Sequence, residues 1–262
     1  MDIAVIAARE RRQAIADLLA EEGRMSVAEL VARFGVTDVS IRRDLTILED
    51  AGLLRRVHGG AVATAQNRRD GAFATKWREN RGLKTRIGAA AATLIRQDHV
   101  VIFDSGSTVA QVAIHTPRAF RRGSAITVVT NSLPVVEEIS GWDGPHLVVL
   151  GGLYLPDHQA LVGPQTVTDL RELSADIAFL GCDGLTGDSG LTTPHVLVAE
   201  VGATMVARAS RVVAVADATK LGRRGFTPIA PLTAVDVLVT NAEADVAQVQ
   251  AVRDAGIEVI LA

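Results

Sequence analysis

Two pairs of arginines stand close together near the N-terminal end of the chain, within residues 36–61, which read VTDVSIRRDLTILEDAGLLRRVHGGA. Arginine side chains are long donors that suit both the base edges and the phosphates of DNA. At about 100° per residue, Arg42 and Arg43 fall opposite an apolar stripe. That stripe consists of Ile41, Leu45 and Leu48, while Val39 and Thr46 share the arginine side. The spacing predicts a helix that packs through its apolar side and offers arginines outward, as a DNA-reading helix requires.

A partner helix for the apolar stripe is predicted directly upstream. Ser26 and Glu29 have the spacing of a capping box, which starts a short helix, and Gly35 ends it. Thr37 or Asp38 can cap the helix that follows, leaving a turn of three or four residues. Two helices joined by so short a turn are typical of a helix-turn-helix.

A longer helix and a hairpin complete this N-terminal unit. The helix is predicted over about residues 7–22, with Ile15, Leu18 and Leu19 on one face. Residues 53–57 are predicted to form one strand of a hairpin with its tip near Gly59. Three cations would then lie where a wing meets the DNA backbone, namely Arg55, Arg56 and His58. We interpret residues 1–61 as a winged helix-turn-helix domain.

The opposing interpretation is that outward arginines on a helix form only a solvated surface. The capped upstream helix, the short turn and the wing cations together favour DNA binding. The net charge of −3 and the pI of about 6.1 give no global basic field. Because acids and bases nearly balance in the first sixty residues, we expect weak DNA binding by a monomer. A homo-oligomer, dimer or tetramer, reading paired half-sites on double-stranded operator DNA is expected.

Length and composition describe the remainder of the chain. The 262 residues, 48% of them hydrophobic, can bury a second core beyond the DNA-binding unit. The sequence has neither a long apolar run nor a signal-peptide pattern, so we expect a soluble, cytoplasmic protein with no membrane partner. The single cysteine, Cys182, excludes an internal disulfide, and the six histidines lack metal-ligand spacing, so no metal site is expected.

Residues 62–75 have no apolar periodicity and are predicted to form a linker. A helix is predicted from about Lys76 to Ile95, so the second domain is expected to span residues 76–262. Beyond it, apolar runs of strand length alternate with helical stretches, which predicts an α/β fold with a doubly wound, Rossmann-like parallel sheet. The predicted strands are Val100 to Phe103, Ile126 to Val129, Leu147 to Leu150, Ile177 to Leu180, Val212 to Ala216, Val235 to Val239 and Ile257 to Leu261. The predicted helices are Val109 to Ala113, Pro134 to Ile139, Thr166 to Leu173, Leu197 to Ala209 and Asp245 to Ala255.

Polar residues and glycines follow five of these strands. The carboxyl ends of the strands are where a doubly wound sheet binds ligand. A Ser/Gly/Thr loop that opens a helix suits a phosphate, and Lys220, one of three lysines, can add a charge beside it. Aspartate and asparagine side chains at neighbouring strand ends can bind sugar hydroxyls. The predicted ligand is a phosphorylated sugar, and the predicted site is Asp104, Ser105, Gly106, Ser107, Thr108, Asn131, Gly152, Asp183 and Lys220.

Each of these loops also has an ordinary interpretation as turn chemistry, and it is their occurrence at successive strand ends that favours a site. Cys182 is interpreted as a packing residue, and His146, His158 and His195 as surface or loop residues. The motif GxGxxG is absent, so no dinucleotide cofactor is expected.

The quoted N-terminal segment resembles the signature of the DeoR family of bacterial transcription regulators. The series FDSGST, VVTNS, LGG, FLGCDG and ADATK resembles that family's effector domain, which is similar in fold to ribose-5-phosphate isomerase. The resemblance implies a repressor of a carbohydrate operon that a phosphorylated sugar releases from its operator. It also implies that Ser40, Arg42 and Arg43 read the DNA and that the strand-end residues line the effector pocket.

One position departs from the family pattern. Many members carry a glutamate and, four residues later, a lysine on the helix before the DxxK strand, where this chain has Val198 and Gly202. Glu200 could supply the acid from a shifted position. Either the far end of the effector carries less charge here, or another group such as His195 supplies the cation.

Two further hypotheses stay open at this level. A sugar-phosphate isomerase could use Asp104 or Asp183 as a base and Lys220 as an electrophile, although an enzyme has no need of a DNA-reading helix. An activator would carry the same pocket as a repressor. To release DNA, the effector must bind one arrangement of the sensor domains better than the DNA-competent one.

Overall fold

The computed structural model describes residues 8–51, 53–63, 73–123 and 125–262. The chain divides into two compact units, Met1–Arg78 and Glu79–Ala262. Residues 64–72, the larger part of the predicted linker, lie outside the described residues, as does residue 7 at the predicted start of the first helix.

The first unit is a winged helix-turn-helix, as predicted. Its helices are α1 (Ala8–Glu22), α2 (Val27–Phe34) and α3 (Asp38–Asp50), and its strands are β1 (Arg24–Ser26), β2 (Leu54–Val57) and β3 (Gly60–Ala63). The strands form an antiparallel sheet in the order β1-β3-β2. Strand β3 ends at Ala63, so the first two residues assigned to the linker belong to the wing instead.

Local signals place the ends of these helices. The capping box of Ser26 and Glu29 is formed in both directions, and Gly35 ends α2 in the left-handed conformation with φ 64°. Thr37 caps α3 by accepting a hydrogen bond from the backbone N–H of Ser40. The apolar sides of the three helices then meet in a core around Ile15, Leu19, Leu30, Ile41, Leu45 and Leu48.

The wing returns through a two-residue tip formed by His58 and Gly59, between the paired residues Val57 and Gly60. At Gly60 a β-carbon would lie 2.2 Å from the carbonyl oxygen of Met25. Glycine at this position therefore allows β3 to approach β1, which fixes the wing against the body of the unit.

The predicted helix from Lys76 to Ile95 is broken in two. Residues 73–78 are helical (α4), residues 79 and 80 form a turn, and α5 runs over Arg81–Ala92. Asn80 has φ 53°, and a left-handed residue cannot continue a right-handed helix. Ile87 and Ala91 are buried as predicted, whereas Leu94 lies past the end of the helix and is half-buried.

The second unit is built on a seven-stranded parallel sheet that contains all seven predicted strands. They are β4 (Val100–Phe103), β5 (Thr127–Thr130), β6 (His146–Val149), β9 (Ile177–Leu180), β12 (Val212–Val215), β14 (Val237–Thr240) and β15 (Glu258–Leu261). Their order is β15-β14-β12-β9-β4-β5-β6. The order reverses between β4 and β9, where Ile102 lies opposite Ala178. Such a reversal opens a crevice at the carboxyl ends of the two strands.

The helices of this unit also lie where they were predicted, with ends that shift by one or two residues. They are α6 (Ser107–His115), α7 (Leu133–Ser140), α8 (Pro164–Arg171), α9 (Val196–Arg208) and α10 (Val246–Asp254). α6 packs against α5 and α7, whereas α9 packs against α8. Right-handed crossovers place α6 and α9 on opposite faces of the sheet, because their connections run in opposite directions from the reversal. The described helices include none with the length and apolar character needed to cross a lipid bilayer.

Five short antiparallel strands were not predicted. β7 (Leu153–Leu155) pairs with β8 (Ala160–Val162), and β10 (Gly184–Thr186), β11 (Gly190–Thr193) and β13 (Thr227–Ala230) form a three-stranded sheet. β7 and β8 are apolar runs of only three residues, too short to mark a strand, and β10, β11 and β13 are interrupted by glycine, threonine or proline. Single-turn helices of the 3-10 type occur at η1 (Arg118–Phe120), η2 (Pro156–His158), η3 (Ala218–Lys220) and η4 (Leu232–Ala234).

Candidate DNA-reading surface and ligand cleft

The outward side of α3 is exposed, as the helical spacing predicted. Arg42 and Arg43 are both exposed, and Val39 is 76% exposed although it is apolar. Ser40 is half-buried, and its hydroxyl lies 3.0 Å from the hydroxyl of Thr37, so it takes part in the N-cap. An exposed valine beside two arginines gives this helix side both apolar and donor groups for base edges.

The Arg42 side chain forms an ion pair within its own helix. Its guanidinium donates to both carboxylate oxygens of Asp38, one turn earlier on the same helix, and the bond from Nη2 is 3.2 Å long. Both side chains are about half exposed, so solvent screens the pair and makes it weak. A phosphate that binds Arg42 must therefore displace Asp38.

Thr46 and Arg56 join the helix to the wing. Nη1 of Arg56 donates to the hydroxyl of Thr46 at 2.9 Å, and the backbone N–H of Arg56 donates to Glu49 at 2.7 Å. The same threonine hydroxyl donates to the carbonyl of Arg42 at 3.0 Å. The predicted contact residues of the helix and of the wing thus form one continuous surface.

The other wing cations extend this surface. Arg43, Arg55 and His58 are exposed, and no ion pair with another described residue holds them. We name the set of Ser40, Arg42, Arg43, Thr46, Arg55, Arg56 and His58 the α3-wing surface.

Asp44 is a residue of α3 that the sequence reasoning missed. It is 2% exposed, and its carboxylate accepts hydrogen bonds from Nε of Arg11 at 2.7 Å and Nη1 of Arg12 at 3.3 Å. Arg11 is itself buried at 9% exposure, so the pair lies between α1 and α3. An aspartate three residues after Ile41, on the apolar side of the helix, was the available signal for a buried ion pair.

In the second unit, the sheet order brings the predicted ligand residues to one edge. Lys220 follows β12, Asp183 follows β9, Asp104 follows β4 and Asn131 follows β5. Those four strands are consecutive neighbours in the sheet, and the strand order reverses at their centre. We name the region at their carboxyl ends the switch-point cleft.

Asp104 lies at the centre of the cleft and is 2% exposed. Burial raises the pKa of its carboxyl group to about 7 and outweighs the opposing hydrogen bonds from Ser105 and the backbone N–H of Gly181. The nearby negative charge of Asp183 raises this pKa further. Near neutral pH the Asp104 carboxyl can therefore donate or accept a hydrogen bond, which suits recognition of a hydroxyl group.

The loop after Asp104 leads into the N-terminus of α6. Gly106 has φ 123°, a conformation that side-chain-bearing residues rarely adopt, and α6 begins at the next residue. Ser107 and Thr108 are half-buried in the first turn. Backbone N–H groups in a first helical turn lack helical partners, and together with the helix dipole they favour an anion such as a phosphate.

Asp183 and Lys220 lie on the other side of the reversal. The carboxylate of Asp183 accepts a 3.0 Å hydrogen bond from the hydroxyl of Thr193 on β11. Lys220, half-buried at the end of η3, is close enough to Cys182 for its charge to lower the pKa of that thiol. Burial and the charge of Asp183 prevail and raise the pKa of Cys182 to about 12, so the thiol stays protonated and packs against the core.

Asn131 and Gly152 are the remaining predicted ligand residues. Their surroundings differ, because Asn131 is buried and Gly152 is exposed. Asn131 is 1% exposed, and its Nδ2 donates to the carbonyl of Leu161 at 3.0 Å. Gly152 is exposed after β6, two strands away from β4, and a β-carbon there would lie 2.3 Å from the hydroxyl of Thr166. The close packing accounts for this glycine, and its assignment to the ligand site stays a prediction.

The departure at Val198 and Gly202 has a packing explanation. Val198 is buried at 7% exposure, and a β-carbon at Gly202 would lie 2.8 Å from Cγ2 of Ile229 on β13. Gly202 therefore lets α9 approach Ile229, and a lysine there would require the Ile229 side chain to shift. Glu200 is exposed on the same helix.

Comparison with known proteins agrees with this two-part architecture. Residues 11–67 match the model of a DeoR-like helix-turn-helix domain, and residues 79–242 match that of the DeoR C terminal sensor domain. The chain is 35% identical to the HTH-type transcriptional regulator GlpR of Haloferax volcanii over 96% of each protein. It is 32% identical to the transcriptional repressor AccR of Agrobacterium fabrum over 90% of each.

Among solved structures, ribose 5-phosphate isomerase A of Methanocaldococcus jannaschii is similar to 54% of this chain, over 54% of its own length. The two share 19% identity with a TM-score of 0.40.

Proposed function

The chain belongs to the DeoR family of transcriptional regulators, and we propose that it represses a carbohydrate operon and leaves its operator when a phosphorylated sugar binds the switch-point cleft. One observation carries this proposal. The sheet order gathers Lys220, Asp183, Asp104 and Asn131 at a strand-order reversal, in the same chain as an exposed, arginine-bearing helix. Such a chain has the parts of a ligand-controlled DNA-binding protein rather than those of an enzyme.

The ligand class follows from the chemistry of the cleft. The N-terminus of α6 and the ammonium of Lys220 suit a phosphate, because both provide positive potential and donors. The buried Asp104 carboxyl, with its pKa of about 7, suits a hydroxyl group, which can both donate and accept. A phosphate joined to neighbouring hydroxyl groups is the composition of a sugar phosphate.

Repression requires linkage between the cleft and the α3-wing surface. To move the protein from 1% to 99% in the released state, the effector must prefer that state by about 5.5 kcal/mol. By reciprocity, operator DNA must weaken effector binding by the same factor. We infer that the DNA-binding form is a homo-oligomer, because paired heads on two half-sites give the affinity that one nearly neutral head lacks.

The test begins with the operator, which selection from random duplex DNA would identify using the full-length protein. Fluorescence anisotropy on the selected duplex would then measure release by ribose 5-phosphate, glucose 6-phosphate, fructose 6-phosphate and the matching free sugars. We expect one phosphorylated sugar to weaken operator binding at least tenfold and its free sugar to have no effect. Tight operator binding that none of these compounds changes would overturn the effector assignment and leave the DNA-binding assignment standing.

The sign of regulation has its own measurement. A reporter gene placed behind the selected operator should be silent when the protein is present and should be expressed when the sugar is supplied. Expression that requires the protein would make it an activator instead.

A further inference from the structure

Four buried side-chain atoms among the described residues have no hydrogen-bond partner, and they are Asn131 Oδ1, Ser132 Oγ, His195 Nδ1 and Thr240 Oγ1. Buried polar groups in native proteins are almost always paired, so such atoms call for an explanation. Three of the four belong to one neighbourhood of the switch-point cleft. Ser132 is not among the predicted ligand residues, and His195 was interpreted as a surface or loop residue or, alternatively, as the source of the missing cation.

The loop that contains η2 contacts the chain on both sides, at the end of β5 and at His195. It lies on the end of β5, where the backbone N–H of Leu133 donates to the carbonyl of Gln159 at 2.9 Å. From the same loop, the ring of His158 meets the ring of His195 edge to face, with 5.7 Å between centroids. Ser132 and His195 therefore lie on two sides of one short loop.

His195 and the predicted phosphate site lie at the starts of two helices on opposite faces of the sheet. His195 is the N-cap residue of α9, whereas Gly106 is the N-cap residue of α6 on the other face of the sheet. Only Pro194 separates His195 from Thr193, whose hydroxyl binds Asp183. A ligand held by its phosphate at α6 would extend toward His195.

The chemistry of the unpartnered atoms selects a ligand group. Oδ1 of Asn131 only accepts hydrogen bonds, the hydroxyl of Ser132 donates and accepts, and Nδ1 of His195 does either according to its tautomer. A carboxylate cannot donate to Oδ1 of Asn131 and is therefore excluded, whereas a group that donates can pair with all three atoms. Hydroxyl groups satisfy all three atoms.

We propose that Ser132 and His195 are specificity-determining residues that bind the sugar hydroxyl groups of the effector, at the end away from its phosphate. This inference rests on the proposed function. Because the three atoms are enclosed, a ligand reaches them only when the η2 loop moves, so hydroxyl recognition favours a second conformation of the sensor unit.

The experiment uses the full-length variants His195→Ala and Ser132→Ala, with His146→Ala as the control on an exposed histidine outside the cleft. Calorimetric titration would measure binding of ribose 5-phosphate, glucose 6-phosphate, their 2-deoxy analogues and inorganic phosphate. We expect each cleft variant to lose about tenfold in affinity for the best sugar phosphate, as for one lost hydrogen bond. Affinity for inorganic phosphate should stay unchanged, and so should every affinity of His146→Ala.

Thermal unfolding of the unliganded proteins separates ligand recognition from folding. Ser132→Ala removes an unpartnered hydroxyl, so its melting temperature should equal or exceed that of the wild type. If the wild type binds a sugar phosphate and both variants bind it equally well, enclosed water pairs these atoms and the inference is overturned, while the proposed function stands. If the wild type binds none of the sugar phosphates, the effector assignment fails, and the inference fails with it.

Discussion

The carboxylate of Asp44, in the middle of the DNA-reading helix α3, lies 2.7 Å from Nε of Arg11 on α1. Both side chains are nearly excluded from solvent, at 3% and 10% exposure, and Arg12 adds a second contact at 3.3 Å. A buried pair of this kind fixes the position of one helix on another, because neither charge can move away without losing its compensation. The buried Asp44 thus helps to fix the orientation of α3, and with it the direction of the exposed arginines on the same helix.

Replacing Asp44 should destabilise the first unit. Asp44→Asn leaves two guanidinium groups beside a neutral amide, and removing one partner of a buried pair costs about 3 kcal/mol or more. Differential scanning calorimetry of the full chain should show the lower melting temperature in the transition of the DNA-binding unit. Asp50→Asn, an exposed change at the end of the same helix, is the control and should melt like the wild type. Equal melting of Asp44→Asn and Asp50→Asn would show that the pair contributes nothing.

Arg43→Ala should weaken operator binding by about 1–3 kcal/mol if the guanidinium binds a base edge, and lower the salt dependence if it binds a phosphate. Arg43 is exposed on α3 and has no ion pair with a described residue, so its loss should not affect folding. Anisotropy titrations at several salt concentrations would measure both quantities, with the exposed Arg253→Ala in α10 as the control. Unchanged operator affinity would show that Arg43 does not contact DNA.

Asp38→Asn should strengthen DNA binding severalfold. The change frees Arg42 from its intrahelical partner and removes a negative charge that would face the DNA backbone. The gain has a limit, because an acidic residue in the first turn stabilises a helix by about 0.3–1 kcal/mol. The same titrations would measure it, and the double variant Asp38→Asn, Arg42→Ala should lose the gain. A single variant that binds DNA more weakly than the wild type would contradict this role of Asp38.

Lys220→Ala should keep operator binding and lose release by the sugar phosphate. The ammonium lies at the cleft near Cys182, and the other two lysines of the chain lie in α4 and α5. Arg223→Ala, an exposed change three residues later, is the matched control and should respond to the sugar like the wild type. If the sugar phosphate releases Lys220→Ala from the operator as it releases the wild type, Lys220 is not part of the ligand site.

Asp104 should make folding stability depend on pH. Its pKa is about 7 in the folded protein and 3.8 in the reference state, so the folded state binds the proton more tightly. Stability should therefore decrease as the pH rises from about 4 to about 7, and then level off. At 1.36 kcal/mol per unit, the buried charge costs on the order of 4 kcal/mol above pH 7.

Asp104→Asn should remove that cost and become more stable than the wild type at pH 8, while losing effector binding. Urea denaturation at pH 5 and pH 8 would measure the difference, with the exposed Asp254→Asn as the control. A variant that is less stable than the wild type at pH 8 would show that Asp104 stabilises the fold instead.

Most of the fold was predictable because its signals are local. The capping box of Ser26 and Glu29, and the left-handed Gly35, are set by residues that are neighbours in sequence. The central parallel strands are continuous apolar runs because both of their faces are covered, and such runs can be recognised in the sequence alone. The short strands were missed for another reason, because three or four residues carry too little pattern to mark a strand, and β10, β11 and β13 also contain glycine, threonine or proline.

The sequence by itself determined the two kinds of residue set in this protein, one suited to DNA and one suited to a small polar ligand. An arginine-bearing helix with its cap and wing, and polar loops after apolar strands, follow from side-chain periodicity and turn chemistry, which act over a few residues. The tertiary structure decided which of those residues meet. Strand order placed Asp104 between Asn131 and Asp183, burial moved its pKa to about 7, and the packing of α1 on α3 turned Asp44 into a buried anchor. These properties depend on distance and dielectric environment between residues far apart in the chain, and only the folded structure fixes those.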